Sequence, residues 1–498
     1  MAVSKNNLNI VYLKSKFFIY RLVSYFSFLL IPVWVQKSIH LNHAFLYLMM
    51  TLYIMFMIGQ WFMLGKEIDH FLNISFQVNS SIDRIIYRLF LGMIFFIVYF
   101  YLLGLLPNKW IYNGFWITWV VLGIFYSWPT RGKIIKESVS TNFNEFRYLD
   151  SFEKTLVGMA VIMYLFSIPE LSTLTNIEAL KLFWDPLEKI NPLFWNFLTV
   201  NYYPFKNYPL LFRIGWSLHF YFIGTGLFLL TFYALLRFFT SRRLSLLGVF
   251  SLLSSWSFSK ILANNLGDAI TTTYSLLWIW TTLWIIKSST YKSGLFLALV
   301  GYLGVIINQT FFSLVLIQFY LLYFYYLKDQ TLWFKKQMMK YASLGCVFIL
   351  FILFFNIKNF EVFHPLDKIF FNNIADIISS KGFFSLSIFG FLILSLKLLS
   401  PKLFLIRNVH FDIFRIKVFL TLILIIFLYC MLFDDYLIKS FALMWPIAFL
   451  SLIPLELLFQ SISKFRSGRN MIFVVYILIC LLDSHFEGRV KIFLRLFN

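Results

Sequence analysis

Apolar runs follow one another along the chain from residue 18 onward. They centre on residues 18–36, 44–64, 87–106, 111–128, 155–171, 212–236, 244–258, 269–286, 294–308, 311–327, 341–356, 383–399, 417–433, 440–460 and 471–483. Most approach the roughly 20 apolar residues that a helix needs to cross a hydrocarbon core. Strands are excluded, because an open strand in lipid leaves its backbone N–H and C=O groups unpaired. The pattern therefore predicts an all-α protein, a polytopic integral membrane helical bundle of about 14–15 transmembrane helices. The least separated runs are those of 294–327, joined only by Asn308 and Gln309.

Composition supports the same expectation. Of 498 residues, 60% are hydrophobic and 13% charged, and the mean hydropathy is +0.79. A soluble domain carries about 25% charged residues to keep its surface wet. Half that share leaves most of the surface in need of a non-aqueous solvent. The net charge of +21 does not point to nucleic acid, because Lys and Arg sit in short clusters between apolar runs. That is the positive-inside arrangement. Cys346, Cys430 and Cys480 all fall inside apolar runs, so neither a disulfide framework nor a metal cluster is expected. No small-residue cleavage site follows the first run, which is expected to stay as a span.

Loop charge sets the orientation. Basic segments lie at Arg131–Lys154, Arg237–Arg243, Lys287–Lys292, Lys328–Lys340, Lys402–Lys417 and Lys464–Arg469. The intervening loops 37–43, 107–110, 259–267 and 434–439 are poorer in charge. The alternation fits a cytoplasmic N-terminus and a bacterial cytoplasmic (inner) membrane. It breaks at Arg489, Lys491 and Arg495; either one span more or fewer restores it, or the tail lies along the surface as a basic amphipathic helix. Three blocks are expected: residues 1–130 with four spans, 154–340 with an outer loop at 172–211, and 341–498 with the remaining spans. A second outer loop, 358–382, carries His364, Asp367 and Asp376. No internal repeat is evident.

The middle block carries an ordered series of motifs. Trp216-Ser217-Leu218-His219 opens a span, and Thr240-Ser241-Arg242-Arg243-Leu244 makes a basic turn. The span Leu244–Trp256 follows, and Asn264-Asn265-Leu266-Gly267-Asp268 enters the next helix. Gln318, Tyr323, Lys328 and Trp333 form a further series, for which Gln309 is an alternative first member. Residues 213–333 thereby resemble the HTTM domain family, the membrane domain shared with vitamin K-dependent γ-carboxylases and bacterial SdpB-like proteins. The resemblance implies a membrane core with a pocket facing the non-cytoplasmic side. It departs from the carboxylases where Leu266 stands in place of their His, and where Lys328 matches their catalytic Lys only out of register. Carboxylase activity is therefore not carried over.

Asp268 begins an apolar helix, whose free N–H groups stabilise a carboxylate. It reads either as an interfacial N-cap or as a site carboxylate at a pocket mouth, with Lys260 eight residues earlier as a partner. His219, near Trp216 and Arg213, is either an interfacial structural residue or part of the same site. Asp268, His219 and Lys260 are the candidate catalytic set. Arg242 and Arg243 read as a positive-inside anchor or as contacts to an anionic lipid headgroup. Glu456, inside the run 440–460 near its cytoplasmic end, reads as a snorkelling residue or as a partner of Lys464, with a transport role as the alternative.

Rival function classes remain open. Glu170, Glu178 and Asp185 lie in or beside the first large outer loop, where GT-C-type glycosyltransferases that use a polyprenyl-phosphate sugar place an acceptor base; that class's early paired Asp-Glu is absent. A transporter would show polar residues at mid-span, which are scarce here. A non-enzymatic assembly or immunity role is a further alternative. Neither a Walker A motif nor H-E-x-x-H is present. The expected partners are membrane lipids with a lipid-linked or peptide substrate; the sequence names no cofactor and leaves open whether the protein is an enzyme.

Overall fold

The computed structural model describes residues 18–37, 43–72, 81–104, 108–127, 148–167, 221–255, 386–400, 436–461 and 466–495. It also describes positions 205, 208, 210–211, 214–215, 218, 258, 273–274, 276–281, 300–301 and 423. Among the described residues every regular element is helical. The chain divides into two compact units, one of residues 1–149, 174–219 and 496–498, the other of residues 150–173 and 220–495.

The first unit contains α1 (Phe18–Leu29), α2 (Ile31–Lys37), α3 (His43–Leu72), α4 (Ser81–Gly104) and α5 (Asn108–Ser127). Residues 45–69 of α3 form one helix long and apolar enough to cross a membrane, and α1 with α2, bent by 45°, makes a second if the pair is one span. The closest packing in the unit is between α3 and α4. A Cβ at Gly65 would overlap the Arg88 carbonyl, and one at Gly92 the Trp61 carbonyl, so glycine alone permits this backbone approach. Beside the crossing, Arg88 pairs with the buried Asp69 at 3.4 Å. Trp61, Phe96 and Trp119 form an aromatic column joining α3, α4 and α5, with ring centroids 5.7 and 5.6 Å apart.

The second unit contains α6 (Ser151–Leu165), a π-helical turn (Tyr221–Gly226) running into α7 (Leu227–Phe239), α8 (Arg242–Ser254), α9 (Leu386–Leu399), α10 (Tyr436–Ser461), α11 (Arg466–Asp483) and α12 (Phe486–Arg495). Helix α6 starts with a capping box, in which the Asp150 carboxylate accepts from the Glu153 N–H and the Glu153 carboxylate from the Asp150 N–H. Helices α9 and α10 touch at Gly390, where a Cβ would overlap the Leu450 carbonyl. Pro446 and Pro454 lie inside α10 without ending it.

Polarity is inverted on several of these helices. Helix α9 exposes Ile388, Phe389, Phe391, Leu392, Leu396 and Leu399, and buries Ser387, Gly390, Leu394 and Lys397. Helix α11 exposes Met471, Val474, Val475, Leu478, Ile479 and Leu482, spaced three and four residues apart along one face, and buries Phe473, Tyr476 and Cys480. A helix on a water-facing surface carries its polar residues outward. Buried hydroxyls are instead satisfied internally: Ser451 donates to the Ala448 carbonyl at 2.7 Å, and Tyr476 to Ser251 Oγ at 2.8 Å.

The C-terminal helix exposes Phe486, Glu487, Lys491 and Leu494 and is anchored through one buried cation. Arg489, expected among the tail cations, is 1% exposed and uses all five of its N–H donors. Nε donates to the Ser484 carbonyl, Nη1 to Ser167 Oγ and the Leu253 carbonyl, and Nη2 to the Ser254 and Ser255 carbonyls, all at 2.7–3.1 Å. The last three acceptors belong to the end of α8, where carbonyls lack intrahelical partners. The chain reverses into α12 through His485, which adopts a left-handed φ of 45°.

Candidate functional site

A groove of about 330 Å³ opens within the first unit. It is lined by Tyr20, Arg21, Ser24, Tyr25 and Phe28 of α1, Gln60 and Met63 of α3, and Tyr126 and Ser127 of α5. Its volume lies at the lower end of the range for small-molecule sites. The helices that build it are apolar, and each contributes polar side chains to the lining. Gly123 brings α5 against α1, since a Cβ there would come within 2.5 Å of two Tyr25 ring atoms. One turn later the same face of α5 delivers Tyr126. The Tyr25 ring is held edge-on to Phe56 of α3, at a centroid distance of 5.0 Å.

Three of the lining residues bring buried polar atoms without a hydrogen-bond partner: the Tyr25 hydroxyl, Gln60 Oε1 and the Tyr126 hydroxyl. These residues are only 8%, 7% and 6% exposed. An unpaired buried polar group costs about 1–3 kcal/mol, so three around one groove mark it as a place built for polar contact. Seven of the nine lining residues can donate hydrogen bonds, Arg21 adds a positive charge, and none is acidic.

The second unit holds the described part of the sequence candidates. Arg242 grips Glu153 with two parallel bonds, Nε to Oε1 at 2.9 Å and Nη2 to Oε2 at 2.7 Å. Arg243 bonds the Asp150 carboxylate and lies 3.9 Å from Glu153. The two arginines thus clamp the capping box of α6 onto the start of α8. Burial acts to raise the Asp150 carboxyl, but the Glu153 N–H and the Arg243 guanidinium outweigh it and hold the group below its ordinary value. Asp268, His219, Lys260, Glu170, Glu178 and Asp185 lie outside the described residues, as do Arg213, Lys328 and Lys464. Glu456 is described and buried on α10.

The π-turn begins two residues after His219 in the sequence. Wider coiling frees carbonyls from the regular ladder, and the Gly224 carbonyl accepts from Thr273 Oγ1 at 2.9 Å. Tyr164 of α6 and Tyr221 stack at 4.7 Å, each hydroxyl donating to the other residue's carbonyl. Among the described residues no three His, Cys, Asp or Glu side chains are grouped so as to hold a metal ion. No protein-family model matches the chain, and comparison with curated proteins and with solved structures finds no match.

Proposed function

We propose that the chain is a polytopic integral membrane protein, inserted in a bacterial inner membrane with its N-terminus cytoplasmic. The observation that supports this is the outward face of α9 and α11, where large apolar side chains are exposed while α9 buries Ser387, Gly390 and Lys397 beside Leu394, and α11 buries Phe473, Tyr476 and Cys480. Such faces are stable against acyl chains and unstable against water. The test is a nitroxide attached at Leu392→Cys in the reconstituted protein. Relaxation by oxygen, which partitions into lipid, is expected to exceed relaxation by a water-soluble nickel complex. The reverse order overturns the proposal.

The middle block carries the HTTM-like part of the proposal: a pocket on the non-cytoplasmic side with Asp268, His219 and Lys260 at its mouth. The Thr273–Gly224 hydrogen bond favours it. Thr273 lies five residues after Asp268, and Gly224 five residues after His219. Joining these helical positions brings together the segments that the two candidates precede. Paired His219→Cys and Asp268→Cys substitutions are expected to form a disulfide under mild oxidation. A protein that is folded and membrane-inserted but shows no cross-link removes the shared site.

A further inference from the structure

The groove of the N-terminal unit has a chemistry of its own, and we infer that it binds the phosphate head of an amphiphile. The inference rests on the membrane reading above. The donor set is the first argument. Tyr20, Arg21, Ser24, Tyr25, Gln60, Tyr126 and Ser127 can all donate, and the Tyr25 and Tyr126 hydroxyls are buried without a hydrogen-bond partner among the described residues. A tetrahedral anion with several acceptor oxygens satisfies such a set, and charge-assisted bonds to it are about twice as strong as neutral ones. Glu67, two turns beyond Gln60 along α3, does not line the groove, although its charge reaches the Tyr126 hydroxyl. No lining carboxylate opposes an anion.

Position is the second argument. The groove runs along α1 from Tyr20 to Phe28 and reaches the last residues of α5, with Arg21 and Ser127 at the α1-start and α5-end side of the helical unit. Loop charge makes that end cytoplasmic, and the adjoining segments carry Lys14 and Lys16 on one side and Arg131, Lys133 and Lys136 on the other. Basic residues beside a membrane-spanning segment draw anionic headgroups of the cytoplasmic leaflet. The third argument is the remaining wall. Tyr20, Phe28 and Met63 offer apolar surface to the chain that a lipid phosphate carries.

The test uses the full-length protein in mild detergent, probed with phosphatidic acid, phosphatidylcholine and inorganic phosphate. Thermal midpoints and retained lipid, read by native mass spectrometry, give the affinities. Phosphatidic acid is expected to bind and stabilise, and Arg21→Gln and Tyr126→Phe to weaken it about tenfold each, the scale of one charge-assisted bond. Arg237→Gln, at an exposed cation of the second unit, is expected to leave binding unchanged. Binding of inorganic phosphate alone, with the same sensitivity to Arg21→Gln, supports the phosphate site and assigns it a soluble ligand. Phosphatidic acid held no better than phosphatidylcholine, with no binding of phosphate, overturns the inference. So does equal weakening by Arg21→Gln and Arg237→Gln. If one variant fails to fold, the other decides. Each result is read on protein already proven membrane-inserted by the Leu392 label, so failure of the groove leaves the membrane reading standing.

Discussion

Arg242 holds both carboxylate oxygens of Glu153, a residue 89 positions earlier in the chain and 2% exposed. The pair closes a circuit: Glu153 caps its own helix through Asp150, and the two arginines lock that cap to α8. Removing Arg242 leaves a buried carboxylate with the Asp150 N–H and the 3.9 Å contact to Arg243. A fully buried pair loses about 3–5 kcal/mol when one partner is removed. Arg242 is 38% exposed, so solvent replaces part of the loss. Arg242→Leu is therefore expected to cost about 2 kcal/mol, read as a lowered thermal midpoint in detergent. Adding Glu153→Leu should recover part of it. A double variant no better than the sum of the singles would rule out the coupling.

Arg489 makes a sharper prediction because its five bonds depend on the planar fork of the guanidinium. A lysine supplies three donors from one point and cannot reach the Leu253, Ser254 and Ser255 carbonyls together with Ser484 and Ser167. Arg489→Lys is expected to cost about 2–4 kcal/mol, close to the loss for Arg489→Ala. Limited proteolysis should then cut near residues 484–486, where α12 reverses. Full protection of the tail in Arg489→Lys would show that charge alone holds it.

Several helices were legible because the apolar pattern is local. The runs 44–64, 87–106, 111–128, 440–460 and 471–483 coincide with α3, α4, α5, α10 and α11. Pro446 and Pro454 did not obscure α10, because the apolar run continues through both. The groove was not legible. Gln60 is one amide inside a 30-residue apolar helix, and its meaning depends on Tyr25 and Tyr126, which lie 35 residues before it and 66 after. A lone Gln in such a run was the available signal. Arg489 was misread for a related reason: with Lys491 and Arg495 it makes a basic tail, and no local feature reveals that the end of α8 receives it. The clamp of Asp150 and Glu153 by Arg242 and Arg243 was half visible, because Asp150-Ser151-Phe152-Glu153 has capping-box spacing but its partners are distant.

Glycine substitutions probe the close crossings and carry their own controls. Gly65→Ala and Gly92→Ala place a methyl group inside a backbone carbonyl of the facing helix, so α3 and α4 must separate. Losses of more than about 3 kcal/mol, or failure to accumulate, are expected. Gly59→Ala meets nothing within 4 Å in the same helix and gains helix propensity, so it should be neutral or stabilising by up to about 1 kcal/mol. Gly123→Ala presses on the Tyr25 ring and is expected to close or distort the groove while the α3–α4 crossing survives. Fluorine labels on tyrosine would report that difference. Equal stability of Gly59→Ala and Gly65→Ala would contradict the crossing.

The pH dependence of the α6 clamp follows from the depressed Asp150 carboxyl. Its folded value lies below the ordinary 3.8 because the Glu153 N–H and Arg243 outweigh the burial that acts to raise it. A group depressed in the folded state contributes stability that is fully present above its unfolded value and is lost as pH falls through the folded one. The contribution of Asp150 is therefore constant at neutral pH and declines below about pH 4. Because Asp150 and Arg243 are more than a third exposed, screening makes the effect small and salt-dependent. The expected result is a thermal midpoint that falls more steeply below pH 4 in the parent protein than in Asp150→Asn, with the difference shrinking in high salt. Asp150→Asn keeps a side-chain oxygen to cap α6, so the difference between the two curves isolates the carboxylate's charge from the cap. Parallel curves for the two proteins would mean that the Arg243 contact contributes nothing to stability.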